Sequence, residues 1–319
     1  MTNSKLPSFD ELPIKPEYPP HSAWGVWGED DNLGTLNLLT EDVVTEAGKC
    51  IKKGKVFPLN WELEKPNPPL FGRQAIKHNL HPHTPDNISF DDSYDNFNPQ
   101  SSTQWDGLCH VSHVPTATFY NGIKPEEIIS RDSGRLGIHH MARRGIAGRA
   151  VLLDYARWAE KHRPDFNPLV RMEVSVDELK QVAEAQGVTF KQGDILLVRV
   201  GWMAAYEKEG HRLAEMMDLK HPECAGVKAC EETFRWIWEN HFAAVACDNF
   251  PFEAFPPNWV ESCHVQFLGG WGMPIGEMFY LEKLAEDSAK DGIYEYFFTS
   301  APLNKYQGVA SPPNAICIK

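Results

Sequence analysis

The sequence predicts a mixed α/β fold. Short apolar runs closed by turn residues read as buried strands, and capped amphipathic segments read as helices. The two kinds do not alternate strictly, which argues for a mixed sheet rather than a doubly wound one. With 319 residues, 42% of them hydrophobic, the chain can build a sizeable core.

Residues 1–22 are polar and rich in proline and read as an extended arm with no core of its own, expected to lie on a neighbouring subunit. Trp24 to Leu39 is turn-rich with apolar anchors. Thr40 is a good N-cap for a helix beginning at Glu41. Lys55 to Leu63 alternates like a strand. Residues 64–103 are loop-like, with many Pro, Asn, Asp and His and little periodicity. Thr103 to Ser112 fits either a strand or a short helix, and both bring Asp106 near His110. Arg149 to Asp154 reads as a buried strand. Ser175 to Gly187 is an amphipathic helix with its own cap and glycine stop. Gly193 to Gly201 and Phe242 to Asp248 are further buried strands, with a helix over His221 to Asn240 between them. Gly276 to Ala285 runs into a helix or strand, and the segment from Asp291 to Leu303 is the last strand.

The formal net charge of -13 works against binding to nucleic acid or to an anionic membrane surface. No apolar run approaches the ~20 residues of a membrane span. The N-terminus lacks a signal-peptide pattern, so the expected compartment is the cytosol. Seven cysteines show no paired spacing and read as reduced, mostly buried thiols. Cys109 and Cys263 each directly precede a histidine of interest.

Chemistry concentrates between Gln104 and His113: one carboxylate, two imidazoles and a thiol in ten residues. Asp106 and His110 suit a Zn, Mn or Fe site, and equally a plain carboxylate–imidazole hydrogen bond. His113 reads as a third ligand, a general base, or a structural histidine. Far downstream, His264 and Glu277 flank an apolar, glycine-rich segment. Buried there, both need partners, which a metal or a hydrogen-bond network would supply. Asp248, followed by Asn249 and Glu253, is a candidate to orient a ligand histidine or to cap a turn. His78, His81 and His83 in the long loop read as solvated. His139 and His140 read as a helix surface. Gly-x-Ser-x-Gly, P-loop, Rossmann and HExxH patterns are absent.

Several colinear blocks resemble one family. They are Trp27-Gly-Glu-Asp-Asp-Asn-Leu-Gly-Thr-Leu-Asn-Leu-Leu, Gly145 to Asp154, Gly193 to Trp202, Ala246-Cys-Asp248 and Gly276-Glu-Met. The family is that of metal-dependent cyclase-like hydrolases, which includes bacterial kynurenine formamidase and isatin hydrolase. The resemblance implies a swivelling β/β/α single-domain fold over residues 23–319, in homodimers or homotetramers, with a divalent metal, Zn or Mn. His264 and Glu277 fall on the family's downstream ligand pair. Of its His-x-Gly-Thr-His-x-Asp signature, His110 matches the second His, Asp106 stands at the first His, and Ser112 stands at the Asp. This variant resembles a Trp-Asp-Gly-x-x-His cyclase branch. With Ser112 in place of the signature Asp, the expectation is one metal held by Asp106, His110, His264 and Glu277 in some combination, with His113 as an extra ligand or base and His113 or Glu277 moving the proton.

The function expected is opening of an amide or lactone in a small cyclic or aromatic substrate. The alternatives are a metal-dependent cyclase, isomerase or lyase, and a metal-free ligand-binding homologue. Gln104, Trp105, Phe119, Tyr120 and Trp271 are candidate pocket residues, the aromatic ones being candidates for core packing too. Loops 64–103 and 203–222 are expected to set the substrate.

Overall fold

Four apolar runs pair side by side as the parallel centre of a nine-stranded sheet in the computed structural model, which describes residues 6–86, 88–210 and 218–319. In chain order the strands are β1 (Val56–Pro58), β2 (Lys77–Pro82), β3 (Phe90–Asp95), β4 (Gln104–Asp106), β5 (Ile146–Asp154), β6 (Glu173–Val174), β7 (Ile195–Arg199), β8 (Gly226–Val227), β9 (Ala244–Cys247), β10 (Ile275–Glu277), β11 (Glu295–Ser300), β12 (Ala310–Ser311) and β13 (Ala315–Ile318). The large sheet runs β1-β13-β11-β5-β7-β9-β10-β4-β12. The pairings β5–β7, β7–β9 and β9–β10 are parallel; the flanking ones are antiparallel. Strands β5, β7 and β9 are covered on both faces, so they read as continuous apolar runs rather than as alternation.

Local chemistry fixes the helices. The Thr40 hydroxyl accepts from Val43 N–H at the start of Glu41–Gly48. Ser175 and Glu178 cap Val176–Gln186 reciprocally, and Gly187 closes that helix in the left-handed conformation. The helix expected from His221 is confined to Glu231–Glu239, because the residues before it pass through β8. The strand expected over residues 55–63 is only the three-residue β1.

Two expectations are corrected. The stretch 64–103 contains a hairpin, β2 paired antiparallel with β3. Its residues are exposed and polar on nearly every position, so no apolar alternation announces it. Its histidines pair within it or beside it: His78 with Asp92 at 3.0 Å, His81 with Ser93 at 2.8 Å, and His83 with Asp91 at 2.8 Å. The N-terminal arm, described from Leu6, lies on its own chain rather than free of a core. Phe9 is buried, stacks on His21 at 4.3 Å and meets the edge of Trp271 at 6.4 Å. Trp238 donates its indole N–H to the Pro7 carbonyl at 2.8 Å. Residues 1–5, Asn87 and part of the 203–222 loop (211–217) lie outside the described residues.

Candidate metal centre

Strand pairing builds the site. β4 and β10 are antiparallel neighbours, with Glu277 opposite Gln104 and Ile275 opposite Asp106. Side chains alternate across a strand, so Gln104 and Asp106 share one face and Trp105 points to the other. On the site face, Gln104 Nε2 donates to Glu277 Oε2 at 2.7 Å. On the opposite face, Trp105 packs edge-on against Phe279 and donates to Ser300 Oγ at 2.9 Å. Gly276, between the two faces, has no room for a methyl group: a Cβ there would lie 2.6 Å from the Ala246 Cβ and 2.7 Å from Phe279.

After Asp106 the chain turns at Gly107, and His110 N–H bonds to the Gly107 carbonyl. This turn returns the His110 ring over the carboxylate, with Nε2 3.8 Å from Asp106 Oδ1. The third contribution comes from His264, which leads into the π-helix Val265–Trp271. Such segments are rare and frequent at functional sites. His264 Nε2 lies 3.1 Å from Glu277 Oε1 and 3.8 Å from Asp106 Oδ2. Its other nitrogen, Nδ1, is held by Glu253 Oε2 at 2.8 Å.

Asp106, His110 and His264 each offer a donor atom within 4.8 Å of the others. Asp106 Oδ2 is buried and lacks a hydrogen-bond partner, and the buried Glu277 Oε1 faces only His264 Nε2, at 3.1 Å. Donors ~2.1 Å from a shared ion stand about 3.4 Å apart, so separations of 3.1 and 3.8 Å match what a small divalent cation requires. The oxygen and imidazole donors suit Zn or Mn. The residues present therefore fit a metal, and Glu253 fits the carboxylate that fixes a ligand histidine's tautomer and ring orientation.

The electrostatics follow from burial. Glu277 is pushed up to about 7, first by desolvation and then by the neighbouring Asp106 carboxylate. Burial opposes charge on His264, but Glu253 and Glu277 outweigh it and hold the imidazole well above its usual range. Burial lowers His110, with Asp106 working against the shift. A cation at the shared centre would relieve the carboxylate repulsion that raises Glu277.

A cavity of about 220 Å³ opens onto these groups. Its walls are Phe71, Phe250, Phe255, Trp259 and Met278, with Gln104, His110, His264, Glu277 and Arg73 among its polar lining. Of the residues expected to line a pocket, Gln104 does so. Trp105 and Trp271 are fully buried in the core; Tyr120 is buried and donates to Asp31 Oδ2 at 3.3 Å; Phe119 packs against the core. His113 is absent from the cavity wall. Its Nδ1 meets the Thr116 hydroxyl at 3.0 Å and its ring stands edge-on to Trp24. Asp248 accepts from Val200 and Gly201 N–H at 2.6 and 2.8 Å, so the orienting carboxylate is Glu253 instead. Cys109 and Cys263 are buried, and desolvation pushes both thiols up, Cys109 to about 12. His139 is buried rather than on a helix surface.

Sequence reasoning gave the orienting role to Asp248 rather than Glu253, and missed Gln100 and Arg73. Gln100 bridges two of the donors, its Nε2 lying 2.9 Å from His110 Nδ1 and 3.3 Å from Asp106 Oδ1. All three lie in proline-rich, aperiodic stretches. The one available signal was Glu253 as a lone carboxylate among apolar neighbours in Phe250-Pro-Phe-Glu-Ala-Phe255.

Among solved structures, one described as a novel cyclase shares 29% identity with this chain. The match covers 93% of this chain and 99% of that one, with a TM-score of 0.80. Isatin hydrolase A from Labrenzia aggregata, bound to benzyl benzoate, matches at 15% identity and TM-score 0.59 over 89% of this chain and 98% of that one. Isatin hydrolase A from Ralstonia solanacearum matches at 16% and 0.59 over 88% and 98%. These two likenesses are of fold. No curated protein sequence matches the chain. The family described as "Putative cyclase" matches residues 44–254, a span that contains Asp106, His110 and Glu253 and ends before His264 and Glu277. With about two thirds of its length inside that match, the chain belongs to this cyclase family.

Proposed function

We propose that this protein is a metal-dependent hydrolase that opens an amide or lactone bond of a small cyclic or aromatic substrate. The observation that carries the reading is the convergence of two buried carboxylate oxygens, Asp106 Oδ2 and Glu277 Oε1, on His264 Nε2, with no hydrogen-bond partner for the first. Asp106, His110, His264 and Glu277 would hold the ion. When bound, a divalent metal supplies Lewis acidity toward a carbonyl and lowers the pKa of water toward ~7.

The chain's own residues supply orientation and proton handling. By accepting the Nδ1 proton in a hydrogen bond, Glu253 would leave Nε2 of a neutral His264 to face a bound ion. Gln104 fixes one oxygen of Glu277 and leaves the other facing the site. Glu277, whose carboxyl burial raises toward neutrality while the centre holds no cation, would give up that proton to hold the ion through Oε1. The aromatic walls exclude water and take a flat ring.

The test is turnover of a panel of aryl lactones and cyclic aryl amides in ¹⁸O-water, before and after chelation. Label in the ring-opened acid, abolished by chelation and restored by Zn or Mn, supports the reading. A product of unchanged mass points instead to isomerisation or cyclisation on the same scaffold. Label incorporation indifferent to chelation would sink metal dependence.

A further inference from the structure

Arg73 is the unassigned group of the cavity. It enters on a tight turn, Leu70–Gly72, in which Phe71 takes φ 60° and donates its N–H to Leu219 O at 2.8 Å. A bulky residue in the left-handed region carries strain that the surrounding structure must enforce. The turn puts Phe71 and Arg73 together at the cavity: the guanidinium carbon lies 5.2 Å from the Phe71 ring centre. Arg73 Nη1 also donates to the Gln100 carbonyl, on the residue whose side chain bridges Asp106 and His110.

What Arg73 lacks is a counter-ion. No described carboxylate lies within ion-pair distance of it, although it is half-buried and burial lowers its pKa. Asp106 and Glu277 act on it only at longer range, and both are committed to the donor cluster. A half-buried guanidinium bonded only to a neutral carbonyl keeps donors free for an anion, and its planar fork matches an oxyanion. Around it, Phe71 meets Phe250 and Phe255 edge-on at 5.7 and 5.6 Å, and Phe255 meets Trp259 at 6.2 Å. The cavity thus offers a flat apolar slot with one cation beside it and the polar donors beyond.

We propose that Arg73 is the anion receptor of this cavity, and that the substrate is an aromatic amide or lactone carrying a second, anionic group such as a carboxylate. The proposal rests on the hydrolytic reading for the bond that is broken, but not for the anion that is held. Recognition here needs only the Arg73 fork and the aromatic slot.

The test compares benzenesulfonate with methyl phenyl sulfone, a neutral compound of similar shape. The sulfonate stays ionised and is a weak metal ligand, so a preference for it reports a protein cation. Dissociation constants are measured by calorimetry on the protein as purified, with bound metal quantified in the same samples. The wild type is expected to hold the sulfonate about tenfold more tightly than the sulfone, the weight of one charge-assisted hydrogen bond. Arg73→Met is expected to erase the preference while leaving sulfone binding within about twofold, and Arg73→Lys to keep part of it. Wild-type protein that binds the sulfonate no more tightly than the sulfone overturns the proposal. So does a preference undiminished in Arg73→Met. Metal content, read separately, decides the hydrolytic reading: a metal-free protein with an Arg73-dependent preference removes that reading and keeps this one.

Discussion

At the scale of single residues, the centre depends on carboxylates that act through their neighbours. Glu253 bonds His264 Nδ1 rather than facing the shared centre, and would fix the tautomer of a neutral ring. Glu253→Gln is therefore expected to weaken metal binding about 10- to 100-fold, read by competition with a chelator, while the fold remains. Unchanged affinity would mean that His264 is oriented by packing alone. His139 offers a pH signature away from the site. Its Nδ1 accepts from Gln307 N–H at 3.1 Å, and burial, aided by His140, Arg143 and Lys305, pulls its pKa down to about 4. The fold thus prefers the neutral ring, whereas the unfolded chain takes up a proton near pH 6.5. Stability contributed by neutral His139 is complete above about pH 6.5 and is lost as pH falls toward about 4. His139→Gln should flatten the fall in denaturation midpoint over that window by on the order of 2 kcal/mol. An unaltered pH profile would show that the ring is not held neutral. Much of the candidate site was legible at this scale: Asp106 and His110 through the density of donor residues between Gln104 and His113, His264 and Glu277 as polar residues around an apolar, glycine-rich segment. Trp105 could have been placed correctly as well: once Gln104 and Asp106 face the site, strand alternation turns the residue between them away. Arg73 and Gln100 carried no such pattern.

At the scale of elements, close backbone approach determines where each donor stands. Gly276 lets β10 lie against Trp105 and Ala246, so Gly276→Ala should cost about 1–3 kcal/mol by overpacking and shift Glu277 with it. Thermal unfolding together with metal affinity checks this, and a stable variant with full affinity would contradict it. Gly34 shows the same logic in the Trp-Gly-Glu-Asp block: with φ +53°, a Cβ there would come within 1.9 Å of the Gly272 carbonyl at the end of the π-helix. Strongly patterned elements were legible in the sequence. Ser175–Gly187 carries its start, stop and apolar face, and the buried runs of β5, β7 and β9 declare themselves by composition. The hairpin β2–β3 was hidden because it buries almost nothing, which leaves no alternation to read.

At the scale of the whole molecule, distant segments meet through the sheet. β4 reaches β10 across 173 residues of sequence in the Gln104–Glu277 hydrogen bond, and no local pattern could foretell that pairing. The mixed α/β class was legible; the strand order was not, because it depends on which edges remain free once the parallel centre forms. The arm was misjudged for a related reason. Its prolines leave it only a short 3-10 turn, Phe9–Glu11, but Phe9 and Leu12 still reach the core, and Arg235 sits 4.7 Å over the Phe9 ring while pairing with Asp10 at 2.7 Å. Phe9→Ala should destabilise the chain by about 3 kcal/mol in denaturant unfolding, and an unchanged midpoint would detach the arm from the core. Among the described residues, no helix is long and apolar enough to cross a membrane. The central claim is that Asp106, His110, His264 and Glu277 hold one divalent ion. Metal stoichiometry by elemental mass spectrometry on wild type, Asp106→Asn and His264→Ala tests it most directly. The account predicts about one Zn or Mn per wild-type chain and near-complete loss in both variants; wild-type protein without a divalent metal, or variants that retain it, would contradict it.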